Sequence, residues 1–262
     1  MGIPSNLPTF FFFFFFLFSS IPFWVSQATN FEVTNQCSYT VWAASTPSGG
    51  KQLKPGETWN IINMTTTGTS GRIWGRTNCS FNASGNGSCE TGDCDNQFEC
   101  RSYGATPVTL AEFSLNQYNN LDYYDLSLVD GFNIPMEISP NNSNCRSVKC
   151  AADINSECPV ELETPGGCNH PCTVFKTDLY CCKSGNNCSA TYLSGFFKSK
   201  CPDAYSYAYD DPSTFTCPTG SDYRVVFCPA LSSPSPVSPP PYDASFTHMC
   251  VSVRMINVNV QY

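Results

Sequence analysis

The chain has 262 residues and a formal net charge of -8, from 13 lysines and arginines against 21 aspartates and glutamates. That balance argues against nucleic acid and against an anionic membrane surface, both of which select basic patches. Only 13% of residues are charged, so the polarity comes from Ser, Thr, Asn and Gly. This is the composition of a strand- and loop-rich secreted chain, long enough to bury a core.

Residues 1–28 read as a signal peptide. Phe10 to Phe16 is an unbroken Phe run, extended by Leu17 and Phe18. Such a stretch suits a signal core and is too short to span a bilayer. Ser26 and Ala28 place small residues at the cut, so cleavage is expected after Ala28. The leader contains no Lys or Arg, and a retained anchor is the alternative.

Phe31-Glu-Val-Thr-Asn35 and Tyr39-Thr-Val-Trp-Ala43 are β-branched and aromatic, and read as two strands. Residues 47–50 (Pro-Ser-Gly-Gly) read as a turn. Thr58-Trp-Asn-Ile-Ile62 and Arg72-Ile-Trp-Gly-Arg76 continue the strand pattern. Residues 78–100 carry almost no periodic apolar signal and read as a stapled ribbon. Strand patterns resume at 108–113, 115–118, 123–129 and 132–138, with Asp130-Gly131 as a turn and Pro135 marking an edge or bulge. Ala190 to Lys200 is the clearest helix, with Ser189 as its cap. Its Tyr192, Leu193, Phe196 and Phe197 are expected to face the core. Tyr223-Arg-Val-Val-Phe227 supplies a last strand. Residues 231–241 hold five Pro and four Ser, a semi-rigid linker into a disordered tail at 231–262. A lipid-anchor signal at that tail is disfavoured by its polar residues. Pairing of two copies through Cys250 is the alternative to a monomer.

Sixteen of the 17 cysteines lie between Cys37 and Cys228. In a secreted chain that density means disulfides. Cys145-x4-Cys150 and Cys168-x3-Cys172 have ligand-like spacings, but only His170 and His248 exist to complete a site. No metal and no cofactor are expected. Composition leaves the pairing open, except that Cys181 and Cys182 must take different partners. Asn63, Asn82, Asn86 and Asn141 head N-x-S/T sequons and are glycosylation candidates. Asn78 and Asn187 also fit but carry Cys at the middle position. His170, between Asn169 and Pro171, reads as an exposed loop residue.

The block Gly85-Asn-Gly-Ser-Cys89-Glu-Thr-Gly-Asp-Cys94 followed by Cys100 resembles the signature of thaumatin-like proteins, the plant pathogenesis-related group 5, close to osmotin. Ile73-Trp-Gly-Arg-Thr-Asn-Cys79, Thr109-Leu-Ala-Glu-Phe113, Val129-Asp-Gly-Phe-Asn-Ile-Pro135, Cys150-Ala-Ala-Asp153 and Cys201-Pro-Asp-Ala-Tyr-Ser-Tyr207 extend the resemblance from about residue 30 to 229. Asp95-Asn96 departs from the family's usual Gly-Gly, which should alter one local turn.

The resemblance implies a mainly β fold. A flattened β-sandwich would use 29–76, 108–150 and 202–230, with a small β-ribbon lobe at 77–107 and a disulfide-rich helical lobe at 151–201, together one domain over 29–230. Family order implies eight disulfides: Cys37–Cys228, Cys79–Cys89, Cys94–Cys100, Cys145–Cys217, Cys150–Cys201, Cys158–Cys168, Cys172–Cys181 and Cys182–Cys188. It also implies an acidic cleft lined by Arg72, Glu112, Asp125, Asp130 and Asp211, with Asp210 adjacent to the last.

Two carboxyl groups are the minimum for glycoside hydrolysis, one to protonate the leaving oxygen and one as base or nucleophile. Glu112, in the apolar run Leu110-Ala-Glu-Phe113, needs an exposed face or a cleft to stay solvated. It is the acid candidate, with Asp130 or Asp125 as base or nucleophile and Arg72 restraining their repulsion. The function expected is a secreted plant defence protein, apoplastic or vacuolar, that binds fungal β-1,3-glucan or a related wall polysaccharide. Its enzymatic activity would be at most that of a weak endo-β-1,3-glucanase. The alternative is a non-catalytic defence or stress protein that perturbs membranes or inhibits a foreign enzyme. A monomer without a transmembrane segment is expected.

Overall fold

The computed structural model describes Gly2 and residues 28–47, 49–65, 68–184 and 188–230. Apart from Gly2 and Ala28, the leader lies outside the described residues, as do the 231–262 tail and Cys250. So do the Asn187 sequon position and Ser48 of the expected turn. Contacts divide the chain after Pro229, and the fold is that of the unit ending there. None of its helices is long and apolar enough to cross a membrane.

Alternating apolar and polar residues build two sheets that pack face to face. The five-stranded sheet uses β1 (Ala28–Asn35), β4 (Thr58–Thr65), β10 (Met136–Pro140), β11 (Val148–Cys150) and β15 (Tyr223–Phe227), in the order β11-β10-β15-β1-β4. The six-stranded sheet uses β2 (Val41–Thr46), β3 (Gly49–Leu53), β5 (Ser70–Arg76), β8 (Leu110–Gln117), β9 (Leu121–Ser127) and β14 (Phe215–Pro218), in the order β14-β9-β8-β5-β2-β3. Phe31, Val33 and Val225 from the first sheet meet Ile73, Phe113, Leu115 and Leu126 from the second. Each fully buried side chain of this size contributes about 1.5–3 kcal/mol of transfer free energy.

Two smaller parts complete the unit. The hairpin β6 (Ser80–Phe81) and β7 (Gly87–Ser88) lies in a ribbon closed by two short disulfide loops. The cysteine-rich part carries β12 (Glu163–Thr164), β13 (Gly167–Cys168), α1 (Pro171–Phe175), α2 (Asp178–Cys181) and α3 (Tyr192–Lys200). Its Ile154, Leu162, Leu193 and Phe197 join the sandwich core. All eight cysteine pairs implied by family order are closed as disulfides. Cys37–Cys228 spans 191 positions, the longest loop and the one that restricts the unfolded chain most in the chain-entropy model.

Several expectations need correction. The turn at 47–50 continues directly into β3, because Gly49 and Gly50 pair with Ser45 and Ala44. The strand expected at 132–138 starts at Met136, since Phe132–Pro135 is loop pinned by Asn133. β14, α1 and α2 had too few apolar residues to signal themselves. α3 is capped by Thr191, whose hydroxyl accepts from Ser194 N–H while Ser194 Oγ accepts from Thr191 N–H. Ser189 is therefore not the cap. Tyr192 is 90% exposed, at the start of the helix on its outer side, so only Leu193, Phe197 and partly Phe196 face the core. Asp95 and Asn96 sit at φ 53° and 58°. They adopt the left-handed backbone that Gly-Gly would, a conformation Asn and Asp tolerate better than other residues.

The outer face of the six-stranded sheet is covered at one end by the ribbon. Trp74 and Leu110 project there into a second small core with Ala44, Val108 and the Cys94–Cys100 disulfide. Beside it, Arg76 is fully buried. Its guanidinium donates to the carbonyls of Trp42 and Ala43 in β2 and of Gln97 and Phe98 in the ribbon, at 2.9–3.4 Å. The Phe81 and Phe98 rings lie 5.3 and 5.8 Å from it. Arg76→Met should remove the fork and strand these carbonyls, costing about 3 kcal/mol or more. Arg76→Lys should recover little, because one ammonium cannot span the four acceptors. Thermal unfolding with disulfides intact measures both, and limited proteolysis in 97–103 should accelerate in step.

Candidate functional site

The uncovered end of the same sheet face forms the floor of a cleft of about 1320 Å³. Three neighbouring strands place one charged residue each in register. Arg72 on β5 lies opposite Glu112 on β8, and Glu112 lies opposite Asp125 on β9. Opposed residues on antiparallel strands have Cβ atoms about 4.5–5.5 Å apart, so these side chains form a row across the sheet. Period-two alternation sends Ile73, Phe113 and Leu126 into the core and leaves the charged row outside.

Asp130 joins the row from the turn after β9. Gly131 N–H donates to Leu128 C=O, and Val108 N–H donates to Asp130 C=O, both at 3.0 Å. Gly131 has φ 91°, and a Cβ there would lie 2.7 Å from the Cys168 carbonyl. The turn thus requires glycine and is clamped against the cysteine-rich part. Buried Asn133 holds the following loop, donating to Gly75 C=O and Thr91 Oγ1 at 2.8 Å.

Arg72 links two of the acids, with Nε 2.7 Å from Glu112 Oε1 and Nη1 3.6 Å from Asp130 Oδ2. Its guanidinium also lies 4.5 Å from the centre of the Tyr103 ring. Tyr103 is 67% exposed and belongs to residues 99–103 of the ribbon, which make the opposite wall. That wall also brings Glu99 and Arg101 to the cleft, and Glu99 Oε2 accepts from Gly50 N–H at 3.2 Å.

Asp125 is the electrostatically unusual member. Its Oδ1 is shut from solvent and has no hydrogen-bond partner among the described residues. Burial, reinforced by the charge of Glu112 and opposed by Arg72, pushes its pKa up to about 8. Its carboxyl is therefore mostly protonated at neutral pH. The sequence reading gave the acid role to Glu112. In the structure Glu112 is the ion-pair partner of Arg72, and the protonated carboxyl is Asp125.

Arg72, Glu112, Asp125 and Asp130 line one cleft; Asp211 does not. Asp211 is exposed at the start of a short 3-10 turn, Asp211–Ser213, and its charge acts on Tyr205 in the cleft wall. Its neighbour Asp210 is buried, paired with Lys198 at 2.7 Å and accepting from Ser206 N–H and Oγ–H. His170 is also corrected. It is 1% exposed, because Pro171 starts α1 and makes His170 its cap. Its Nδ1 accepts from Cys172 N–H at 3.1 Å and its Nε2 donates to Ser206 C=O at 3.0 Å. The sequence reading missed Glu99, Arg101, Tyr103, Tyr123 and Tyr205 as lining residues. For 99–103 the available signal was an aromatic and two charges beside a ribbon cysteine.

The Thaumatin family description matches residues 35–229. The chain belongs to the thaumatin family. It is 55% identical over 215 residues to a thaumatin-like protein of Actinidia deliciosa, covering 81% of this chain and 95% of that one. It is 56% identical over 209 residues to pathogenesis-related thaumatin-like protein 3.2 of Cryptomeria japonica, covering 77% of this chain and 89% of that one. Among solved structures, the thaumatin-like xylanase inhibitor TLXI aligns at a TM-score of 0.46 and 26% identity, over 76% of this chain and 99% of that one.

Two pH effects follow. The raised Asp125 stabilises the fold fully below the unfolded value near 3.8 and loses that contribution as pH rises to about 8. Asp125→Asn should therefore stabilise this thaumatin-family protein at neutral pH, by about 2 kcal/mol. The gain over wild type should grow from pH 4 to 8 in thermal unfolding. His170 has the opposite sign. Burial holds its pKa below the ordinary 6.5, so stability falls as pH drops below about 6.5. His170→Asn keeps a capping oxygen and should make that acid loss shallower.

Proposed function

We propose that the protein is a secreted plant defence protein that binds β-1,3-glucan of fungal walls across this cleft, with at most weak endo-β-1,3-glucanase activity. The observation that carries this reading is the row of Glu112 and Asp125, with Asp130 beside it, on the floor of an open cleft, where burial favours the protonated form of Asp125. A protonated carboxyl can donate to a glycosidic oxygen, and a neighbouring carboxylate can act as base or nucleophile. The exposed Tyr103 ring offers an apolar face to a sugar, and the carboxylates accept from its hydroxyls.

Arg72 explains why turnover would be slow. Glu112 and Asp130 are both engaged by the guanidinium, which limits their reach toward an anomeric carbon. The same clamp keeps them fixed as hydrogen-bond acceptors, which favours binding over hydrolysis. Eight disulfides and the pathogenesis-related relatives support secretion and a defence role.

The test is retention on insoluble β-1,3-glucan. Wild type should be retained, and Glu112→Gln with Asp130→Asn should lose at least about tenfold in affinity, roughly one 1.4 kcal/mol step or more. Asp125→Asn should keep most of the binding while abolishing release of reducing ends from soluble glucan. Equal retention of wild type and the double variant would overturn the reading.

A further inference from the structure

On the far side of the molecule, the outer face of the five-stranded sheet carries a separate groove of about 450 Å³. It is lined by Asn30, Asn60 and Ile62 from β1 and β4, and by Ser139, Asn141 and Arg224 at the β10–β15 side. Glu32 and Arg224 pair across it at 3.3 Å. Ile62 is 68% exposed, an unusual position for a β-branched apolar side chain among amides. An apolar platform ringed by amide and hydroxyl groups suits a sugar ring, which has an apolar C–H face and a polar edge.

The sequence supplies the sugar's attachment point. Asn141-Asn142-Ser143 is a sequon, and exposed Asn141 is itself part of the groove wall. Its backbone N–H donates to Asp222 C=O at 2.8 Å and its Oδ1 accepts from Asp222 N–H at 3.1 Å. These two bonds fix the side chain at the end of the β10–β15 ladder. One uses the backbone N–H and the other the side-chain Oδ1, and Nδ2 has no hydrogen-bond partner among the described residues. Glycosylation at Nδ2 therefore keeps both bonds. A second sequon, at Asn63, borders the same groove next to Ile62, with Asn63 N–H donating to Asn30 Oδ1 at 3.0 Å. The other described sequons differ. Asn78, Asn82 and Asn86 lie in the ribbon, the last two inside the ten-residue Cys79–Cys89 loop. Asn82 Oδ1 there accepts two backbone N–H groups, from Ser84 and Asn86, so its side chain is tied through oxygen as that of Asn141 is, and the groove is what sets Asn141 apart.

We propose that Asn141 carries an N-linked glycan and that the groove over Ile62 seats its first sugars. The inference rests on the secretion reading, because the donor is a lipid-linked oligosaccharide of the secretory pathway. In the transfer, Asn141 Nδ2 forms a bond to the anomeric carbon and loses one proton. The bond from that carbon to the lipid diphosphate breaks, and the diphosphate leaves with its electron pair. The seated glycan covers the sheet face opposite the cleft and leaves the cleft open.

The experiment uses the full chain expressed in plant cells and recovered from the medium. Release by peptide N-glycosidase in ¹⁸O-water converts an occupied Asn141 to labelled Asp, read by peptide mass mapping. Hydrogen exchange then compares wild type with Ser143→Ala, which deletes the sequon and keeps both Asn141 hydrogen bonds. The expected result is a label at Asn141 and amide exchange at 60–63 slowed severalfold in the glycosylated form. Secreted protein without a label at Asn141, or labelled protein with unchanged exchange at 60–63, overturns the assignment alone. Retention of every form inside the cell without sugar overturns the assignment and the secretion reading together.

Discussion

The buried guanidinium of Arg76 is the contact through which the rest of the site is positioned. A sheet face that carries Trp74 and Leu110 must be covered, and the ribbon covers it with little apolar surface of its own. Two short disulfides reduce the ribbon's unfolded freedom, but they do not attach it to anything. Arg76 does, by reaching carbonyls on both sides. Burial pulls its pKa down to about 10, opposed by Asp93 and Glu99, so it keeps its charge at neutral pH. Where the ribbon lies decides where 99–103 lies, and hence where Tyr103 meets Arg72.

The two arginines of β5 therefore divide the work along one strand. Arg76 points the same way as Arg72, four residues on, and is sealed; Arg72 is left open with 30% of its side chain exposed. The sealed one organises backbone carbonyls and the open one organises carboxylates. Asp125, which forms an ion pair with neither, stays protonated and unsatisfied on one oxygen. That is a local cost in stability on the floor of the cleft, the usual pattern of a site that gives up stability for function.

Much of this was legible in the amino-acid sequence, and for identifiable reasons. Strand alternation is a local signal, so β1, β5, β8, β9 and β15 were readable within a few residues. The cysteine order carried the resemblance, which implied the pairing and the row Arg72, Glu112, Asp125 and Asp130. Burial of polar groups was not legible. His170 and Arg76 are buried because distant carbonyls, of Ser206 and of Gln97 and Phe98, meet them, and nothing near them in sequence says so. For the same reason the acid role was placed on Glu112 rather than Asp125. Which of two facing acids takes the arginine depends on geometry across three strands. Asp211 was carried over from the resemblance, one residue from a buried ion pair that the resemblance did not distinguish.

The five-stranded sheet has its first and last strands as central neighbours, β1 running parallel to β15. A chain emerging from a ribosome meets this arrangement in the least convenient order. β1 is made first and can pair with β4 at once, but its other edge stays open until nearly the whole unit has been synthesised. During that time the ribbon and the cysteine-rich part can close their six- to ten-residue disulfide loops locally. Such long-range parallel pairing is slow to form, and an unpaired strand edge invites association with other chains. The architecture thus ties successful production to an oxidising lumen with chaperones, whatever the stability of the finished protein. A fragment ending before β15 should be a poor substitute for the whole, since it lacks the strand that joins the two halves of the sheet.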